Sequence, residues 1–102
     1  MVLQTRLWDA AEHLKSDEAM SAYLNAAFEE DDPKLLMTVL GDIARAKGMS
    51  ILSKETGLSR ESLYRALSNE GNPTFSTILK VTRALGLRLT TEPVAKQSEP
   101  VA

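Results

Sequence analysis

Apolar residues recur at helical spacing along most of the chain. The first stripe lies just after Ser16 and repeats every three or four residues, which places its members on one face of a helix. Its members are Met20, Tyr23, Leu24, Ala27 and Phe28. Ser16 is a good N-cap, and Asp17 and Glu18 suit the positive end of a helix. The pattern predicts a first helix over about Asp17–Glu30.

A second helix is predicted to begin where Asp32 is followed by Pro33, an N-cap with proline at the first helical position. Its stripe consists of Leu36, Val39, Leu40 and Ile43. Gly48 is placed to end it. Gly41 inside this helix costs about 1 kcal/mol relative to alanine, so we expect a neighbouring element to approach closely there.

Two short helical patterns on either side of a glycine occupy residues 49–67. The first covers Ser50–Thr56, Gly57 allows the chain to leave that helix, and Ser59 can cap a second helix over Arg60–Leu67. An inner row of apolar side chains is formed by Leu52, Leu58, Leu63 and Leu67. Two short helices, a tight glycine turn and shared leucines predict a helix-turn-helix, whose second helix enters the major groove of DNA.

A fifth helix is predicted over Phe75–Leu85, after the N-cap Thr74 and before the stop at Gly86. Its stripe is Phe75, Ile78, Leu79, Thr82 and Leu85. Residues 91–102 contain two prolines and no apolar period, which predicts a disordered tail.

Apolar and polar residues alternate in residues 2–8 and 87–90, which predicts two short strands. A short strand needs a partner, so these pair within one chain or between two chains. Either arrangement favours a homodimer, with candidate contacts at Leu3, Leu7, Trp8, Leu87 and Leu89. We therefore expect an all-α fold with an arm (1–15), a helix-turn-helix domain with a C-terminal strand (16–90) and a tail (91–102).

Charge divides the chain into two parts. Residues 1–32 carry two basic and eight acidic side chains, a net −6, whereas residues 33–102 carry a net +4. The basic part can meet phosphate, and the acidic part suits a cationic protein partner. The candidate acidic surface consists of Asp17, Glu18, Glu29, Glu30 and Asp31. The alternative is that these carboxylates only flank helix ends.

Other functional classes find no support in the sequence. The 102 residues contain no cysteine and one histidine, His13, so no metal site is expected. No apolar run reaches the roughly 18 residues of a membrane span, and the N-terminus lacks a signal-peptide pattern. No nucleophile elbow, Walker loop or dinucleotide fingerprint is present. We expect a cytoplasmic, non-enzymatic protein without a cofactor.

The outward face of the second motif helix carries the residue types that read DNA. Arginine pairs with guanine, serine reaches base edges or phosphate, and tyrosine contacts phosphate or a thymine methyl group. The candidate base contacts are Arg60, Glu61, Ser62, Tyr64 and Arg65. The candidate phosphate contacts are Ser50, Ser53, Lys54, Ser59, Asn69 and Asn72, with Lys80 and Arg83 on the fifth helix. The alternative is a solvated helix face on which Glu61 pairs with Arg65 at i+4.

Several stretches resemble a known family. They are AYLNAAFEEDDP (22–33), LGDIARAKGMS (40–50), GLSRESLYRALS (57–68), GNPTFSTILKVTRALGLRLT (71–90) and, more loosely, RLWDAAEHL (6–14). Together they resemble the HigA-like addiction-module antidote proteins, antitoxins of type II toxin–antitoxin systems with an Xre-type, lambda-repressor-like helix-turn-helix. Many related repressors begin the first motif helix with Thr-Gln, whereas this chain has Ser50-Ile51 and lacks that glutamine contact to phosphate.

The resemblance implies five helices with a short C-terminal strand and two molecular partners. One is a RelE/HigB-type mRNA interferase toxin that the antidote neutralises. The other is double-stranded operator DNA, through which the antidote or the complex represses their shared operon. Two alternatives remain open: a stand-alone transcriptional repressor without a toxin, and a protein-interaction module that has lost DNA binding.

Overall fold

A computed structural model describes residues 16–94, which form five helices. The helices are α1 (Asp17–Glu29), α2 (Pro33–Lys47), α3 (Met49–Thr56), α4 (Arg60–Ala66) and α5 (Phe75–Ala84). This confirms the all-α prediction, and every predicted helix boundary lies within one residue of the observed one. The predicted arm, with Leu3, Leu7 and Trp8, and the last eight residues of the predicted tail lie outside the described residues.

Local hydrogen bonds explain why the helices begin and end where they do. At each of four predicted N-caps, a side-chain oxygen accepts a backbone N–H from the first turn of the helix. The capping residues are Ser16, Asp32, Ser59 and Thr74. At the end of α5, Gly86 is left-handed with φ 83°, and the Leu87 N–H donates to the Thr82 carbonyl at 2.9 Å. This is a Schellman cap, in which glycine avoids a Cβ clash.

The core is aliphatic and centres on α3. Helix α1 packs against α2, and α3 contacts α2, α4 and α5. The most deeply buried side chains come from all five helices: Met20, Leu40, Ile43, Leu52, Leu63, Leu67, Val81 and Leu85. Because α3 touches three other helices, the short α3–α4 pair is held by the core rather than by its own helix propensity.

Gly41 permits a close approach between α2 and the end of α4. A Cβ at this position would collide with the backbone carbonyl oxygen of Leu67. The expectation of a close neighbour at Gly41 is therefore confirmed, and that neighbour is the backbone that follows α4.

The predicted strand at residues 87–90 is not formed. Residues 87–94 belong to no helix or strand, and the described part of the chain offers no strand to pair with. The Leu87 N–H closes α5, and its half-buried side chain packs against the core of its own chain. Leu89 is also half-buried. The prediction of a strand at residues 87–90 within a single chain was wrong. Alternating side chains do not by themselves supply a second strand for the backbone to pair with.

Three members of the predicted apolar stripes on α1 and α5 lie outside the core. On α5, Phe75 is 67% exposed and Leu79 is 40% exposed, whereas Val81 is fully buried. On α1, Phe28 is 44% exposed. The stripes therefore identified the helices correctly but misassigned these three side chains to the core.

A polar contact joins α1 to α2. The Tyr23 hydroxyl donates to Asp42 Oδ2 at 3.2 Å, and Arg45 Nη2 donates to Asp42 Oδ1 at 2.9 Å. Burial, together with the charge of Asp42 and the hydrogen bond to it, raises the pKa of Tyr23 above its ordinary value of 10.0. The contact favours the protonated phenol.

This contact predicts a stability loss at alkaline pH. Because the pKa of Tyr23 is higher in the folded state, its contact stabilises the fold fully below about pH 10. This stabilisation is lost as the pH rises through the folded-state pKa. In urea titrations between pH 7 and 11, Tyr23→Phe should lower the free energy of unfolding by about 1 kcal/mol at pH 7. The difference from the wild-type protein should shrink above pH 10. A constant difference across this range would contradict the assigned contact.

Candidate nucleic-acid interface

The turn between α3 and α4 is fixed by hydrogen bonds on both sides of Leu58. Gly57 leaves α3 in the left-handed conformation, with φ 80°. The Ser53 hydroxyl donates to the Leu58 carbonyl at 2.6 Å, and the Leu58 N–H donates to Thr56 Oγ1 at 3.1 Å. Since Leu58 is also half-buried against the core, the direction of α4 relative to α3 is set by this turn.

Two of the predicted phosphate contacts have structural hydrogen bonds in this turn. The single hydroxyl proton of Ser53 goes to Leu58, so Ser53 has no proton left for a phosphate. Ser59 caps α4 by accepting the Ser62 N–H at 3.0 Å, and its hydroxyl donates to Ser62 Oγ at 2.9 Å. Sequence reasoning identified Ser59 as a cap, but the Ser53–Leu58 bond depends on a turn geometry that no residue pattern specifies.

Helix α4 is anchored on one face and exposed on the other. Leu63 and Leu67 are at most 1% exposed and attach the helix to the core. The five predicted base contacts lie on the remaining surface: Arg60, Glu61, Tyr64 and Arg65 are exposed and Ser62 is half-buried. The structure therefore brings all five together on one short helix.

Arg60 also joins the starts of the two motif helices. Its Nη1 donates to Ser50 Oγ at 3.2 Å, and both side chains are exposed. The bond spans ten residues and was not predicted, because only the crossing of α3 and α4 brings these side chains together. It places a base-contact candidate and a phosphate-contact candidate at the same edge of the surface.

The remaining cationic candidates are solvent-exposed. Lys54 lies on α3, and Lys80 and Arg83 lie on α5. Within residues 16–94 the only ion pair is Arg45–Asp42, so the alternative Glu61–Arg65 pair is not formed. These cations and Arg65 are therefore not neutralised by a carboxylate within the described part of the chain.

The loop between α4 and α5 packs tightly against the end of α4. A Cβ on Gly71 would collide with the Ala66 carbonyl oxygen and would lie 2.6 Å from the Arg65 carbonyl oxygen. The Gly71 N–H donates to the Ser68 carbonyl at 2.8 Å. The exposed phosphate candidates Asn69 and Asn72 are held beside α4 by this loop. The sequence indicated a turn here but not its contact with α4.

The acidic candidates lie at opposite ends of α1. Asp17 and Glu18 are in its first turn, whereas Glu29, Glu30 and Asp31 lie at its other end, and all five are exposed. A separation of about 12 residues at 1.5 Å per residue is roughly 18 Å. Asp31 is left-handed, with φ 54°, in the turn to α2. The sequence suggested one acidic surface, whereas the structure has two.

Metal-binding clusters and membrane-spanning helices are absent from the described part of the chain. Across residues 16–94, no three His, Cys, Asp or Glu side chains are grouped to hold a metal ion. None of the five helices is long and apolar enough to cross a membrane.

Comparison with known proteins identifies the family. A family model described as "Probable addiction module antidote protein" matches residues 4–93, so the chain belongs to this family of addiction-module antidotes. The chain is also 50% identical over 88 residues to an uncharacterized protein of Haemophilus influenzae (strain Rd), covering 86% of this chain and 91% of that protein. No solved structure matches it significantly. The family assigns the chain an antitoxin role and, in general, a toxin as partner.

Proposed function

We propose that this antidote is a DNA-binding antitoxin that represses its own operon through a helix-turn-helix formed by α3 and α4. The observation that carries the proposal is the exposed polar face of α4, which is held in place by the buried Leu63 and Leu67. A seven-residue helix with two arginines on its outer surface has the size and chemistry that fit a major groove.

In the proposed complex, the first turns of α4 read bases. Recognition helices contact base edges through their N-terminal residues, which favours Arg60, Glu61 and Ser62, with Tyr64 one turn further along. Arg60 is the strongest candidate, because the bond to Ser50 already orients its guanidinium group. A bidentate arginine–guanine pair contributes about 1–3 kcal/mol of discrimination.

Phosphate contacts flank this helix in the proposed complex. Ser50 and Lys54 lie on the exposed side of α3, and Asn69 and Asn72 lie in the loop after α4. Contacts of this kind fix the register of a protein on DNA without reading sequence. Their distribution on both sides of α4 supports a groove-binding orientation.

We propose a homodimer as the form that binds the operator. Helix α4 has only seven residues and spans a few base pairs, so one copy reads one half-site. Two copies would read half-sites about 34 Å apart. The candidate dimer contacts outside the described residues, Leu3, Leu7 and Trp8, remain part of this proposal.

The proposed toxin partner is a RelE/HigB-type mRNA interferase. A protein that binds RNA needs a cationic surface, and the acidic groups at the ends of α1 are complementary in charge to such a surface. We assign the contact to the end of α1 with Glu29, Glu30 and Asp31, since the exposed Phe28 beside them adds an apolar anchor.

Charge reversal tests the toxin contact. Changing Glu29, Glu30 and Asp31 to lysine should weaken binding of the co-encoded toxin at least tenfold in a titration, because like charges would then face each other. The control reverses the two acidic residues at the other end of the helix, Asp17 and Glu18, and should change the affinity less than threefold. Equal effects of the two variants would contradict the assignment to one end of α1.

A reporter gene placed behind the protein's own upstream region tests the repression. Supplying the antidote in trans should lower expression, and a variant with both Arg60→Ala and Tyr64→Ala should restore it while remaining folded. Unchanged expression with the wild-type protein, alone and with its toxin, would contradict the proposed autorepression.

A further inference from the structure

The tight loop after α4 creates an open notch beside the proposed recognition helix. Its volume is about 480 Å³. The polar side chains that line it are Ser62, Arg65, Ser68, Glu70 and Asn72. The notch depends on Gly71, because any side chain there would collide with the end of α4 and push the loop away.

The notch contains donors without partners in the protein. Within residues 16–94, no hydrogen bond or ion pair involves the Arg65 guanidinium or the Asn72 amide group. Ser62 Oγ accepts from Ser59, which leaves its own proton available. Ser68 donates its proton to the Arg65 carbonyl at 3.1 Å and so forms part of the wall. A guanidinium with an amide and a hydroxyl beside it is suited to an anion with several oxygen acceptors.

The position of Arg65 separates it from the base-reading end of α4. It lies in the last turn, five residues after Arg60, which is about 7.5 Å further along the helix axis. Base edges are contacted by the N-terminal part of a recognition helix, and the DNA backbone passes beside the groove. In the proposed DNA complex, Arg65 would therefore lie beside the DNA backbone rather than at the base edges.

We propose that this notch seats one phosphate of the DNA backbone, with Arg65 as its anchor and with Asn72 and Ser62 as additional donors. The inference rests on the proposed DNA binding and reassigns both Arg65 and Ser62 from base contacts to phosphate contacts. Their effect on affinity is then the same for every DNA sequence but depends on salt concentration.

Glu70 provides a second test of the proposal, because its removal should change DNA affinity in the opposite direction to the removal of Arg65. Its exposed carboxylate lines the same notch and would repel a bound phosphate. Removing this charge should therefore tighten DNA binding, whereas removing the charge of Arg65 should weaken it. Both effects should act through the same phosphate, whereas the effect of a base-reading arginine would not depend on that phosphate.

The test measures binding of the full chain to a duplex from its own upstream region by fluorescence anisotropy. At 0.1 M salt, Arg65→Gln should weaken binding about eightfold and reduce the salt slope by about one. Glu70→Gln should tighten binding about twofold to fivefold. The control Arg88→Gln, which removes an exposed cation beyond α5, should leave the slope within about 0.3 of the wild-type value.

Single methylphosphonate substitutions along both strands then locate the phosphate. At one position, neutralising the phosphate should abolish the effects of both Arg65→Gln and Glu70→Gln, while thermal unfolding of the variants stays unchanged. If the wild-type protein binds but no position is coupled to either variant, the notch assignment is overturned and the proposed function stands. If the wild-type protein does not prefer its upstream duplex to a shuffled one, both are overturned.

Discussion

Replacing Gly41 by alanine should lower the free energy of unfolding by about 2–3 kcal/mol, a typical cost of forcing extra volume into a packed core. The added methyl group would collide with the Leu67 carbonyl, which is backbone and cannot rotate away. To make room, α2 must separate from the end of α4. For a domain of this size the midpoint of thermal unfolding should fall by roughly 10–15 °C. Urea titration and calorimetry would measure both quantities.

Gly57→Ala is the matched comparison. Gly57 has open space around its Cα, so alanine there meets no atom, but it must adopt the left-handed conformation with φ 80°. That conformation costs about 1 kcal/mol for a residue with a Cβ. The predicted order is therefore wild type, Gly57→Ala, then Gly41→Ala. A Gly41→Ala protein as stable as the wild type would contradict the close packing of α2 on the end of α4.

Arg60→Ala should reduce the affinity for operator DNA about 30-fold, equivalent to about 2 kcal/mol, if Arg60 reads a guanine. The loss should be largest on the operator and small on a shuffled duplex, since a base contact discriminates between sequences. Because Arg60 is exposed, the free energy of unfolding should change by less than about 0.5 kcal/mol. Paired titrations on the two duplexes would measure the difference.

Ser50→Ala tests how much of the affinity depends on Ser50, through its hydrogen bond to Arg60 and its proposed phosphate contact. It removes the 3.2 Å hydrogen bond but leaves the guanidinium group in place. We expect a loss of about threefold to fivefold, in line with one hydrogen bond of about 1 kcal/mol. If Arg60→Ala weakened binding equally on both duplexes, Arg60 would be a phosphate contact and not a base contact.

The sequence predicted the helices well because their signals are local. Asp32 with Pro33, and Gly86 after Leu85, act within one turn of the backbone, so the residues themselves specify where helices begin and end. It was also predictable that Leu52 and Leu63 point into the core, because a leucine side chain has no polar group that favours solvent. Local chemistry of this kind fixes boundaries to within one residue.

Orientation was harder to predict where two faces of a helix are similarly apolar. On α5, Phe75 and Leu79 fit the helical period as well as Val81 does, and only the position of α3 decides which side is buried. The strand at residues 87–90 was predicted from alternation alone. Its N–H at Leu87 is used to cap α5, an interaction that alternation does not reveal.

The sequence predicted which residues make up the candidate site, but not how those residues are arranged in space. The spacing along α4 identified its outward residues, yet the Arg60–Ser50 bond and the role of Ser53 in the turn both depend on how two helices cross. The notch beside Arg65 requires Gly71 to touch the end of α4, whereas a glycine in a turn-rich loop is equally compatible with a loop that stays clear of the helix. The arrangement of these residues is determined by contacts between separate helices and loops.

A titration of the wild-type protein against its own upstream duplex tests the central claim most directly. A shuffled duplex of equal length, at the same salt concentration, serves as the competitor. We expect the protein to bind the upstream duplex at least 100-fold more tightly than the shuffled one. This is a lower bound, since complete operators typically show a preference of 10³-fold or more. We also expect a salt dependence that reflects several phosphate contacts. Equal affinity for the two duplexes, or no binding at 0.1 M salt, would contradict sequence-specific recognition by α4.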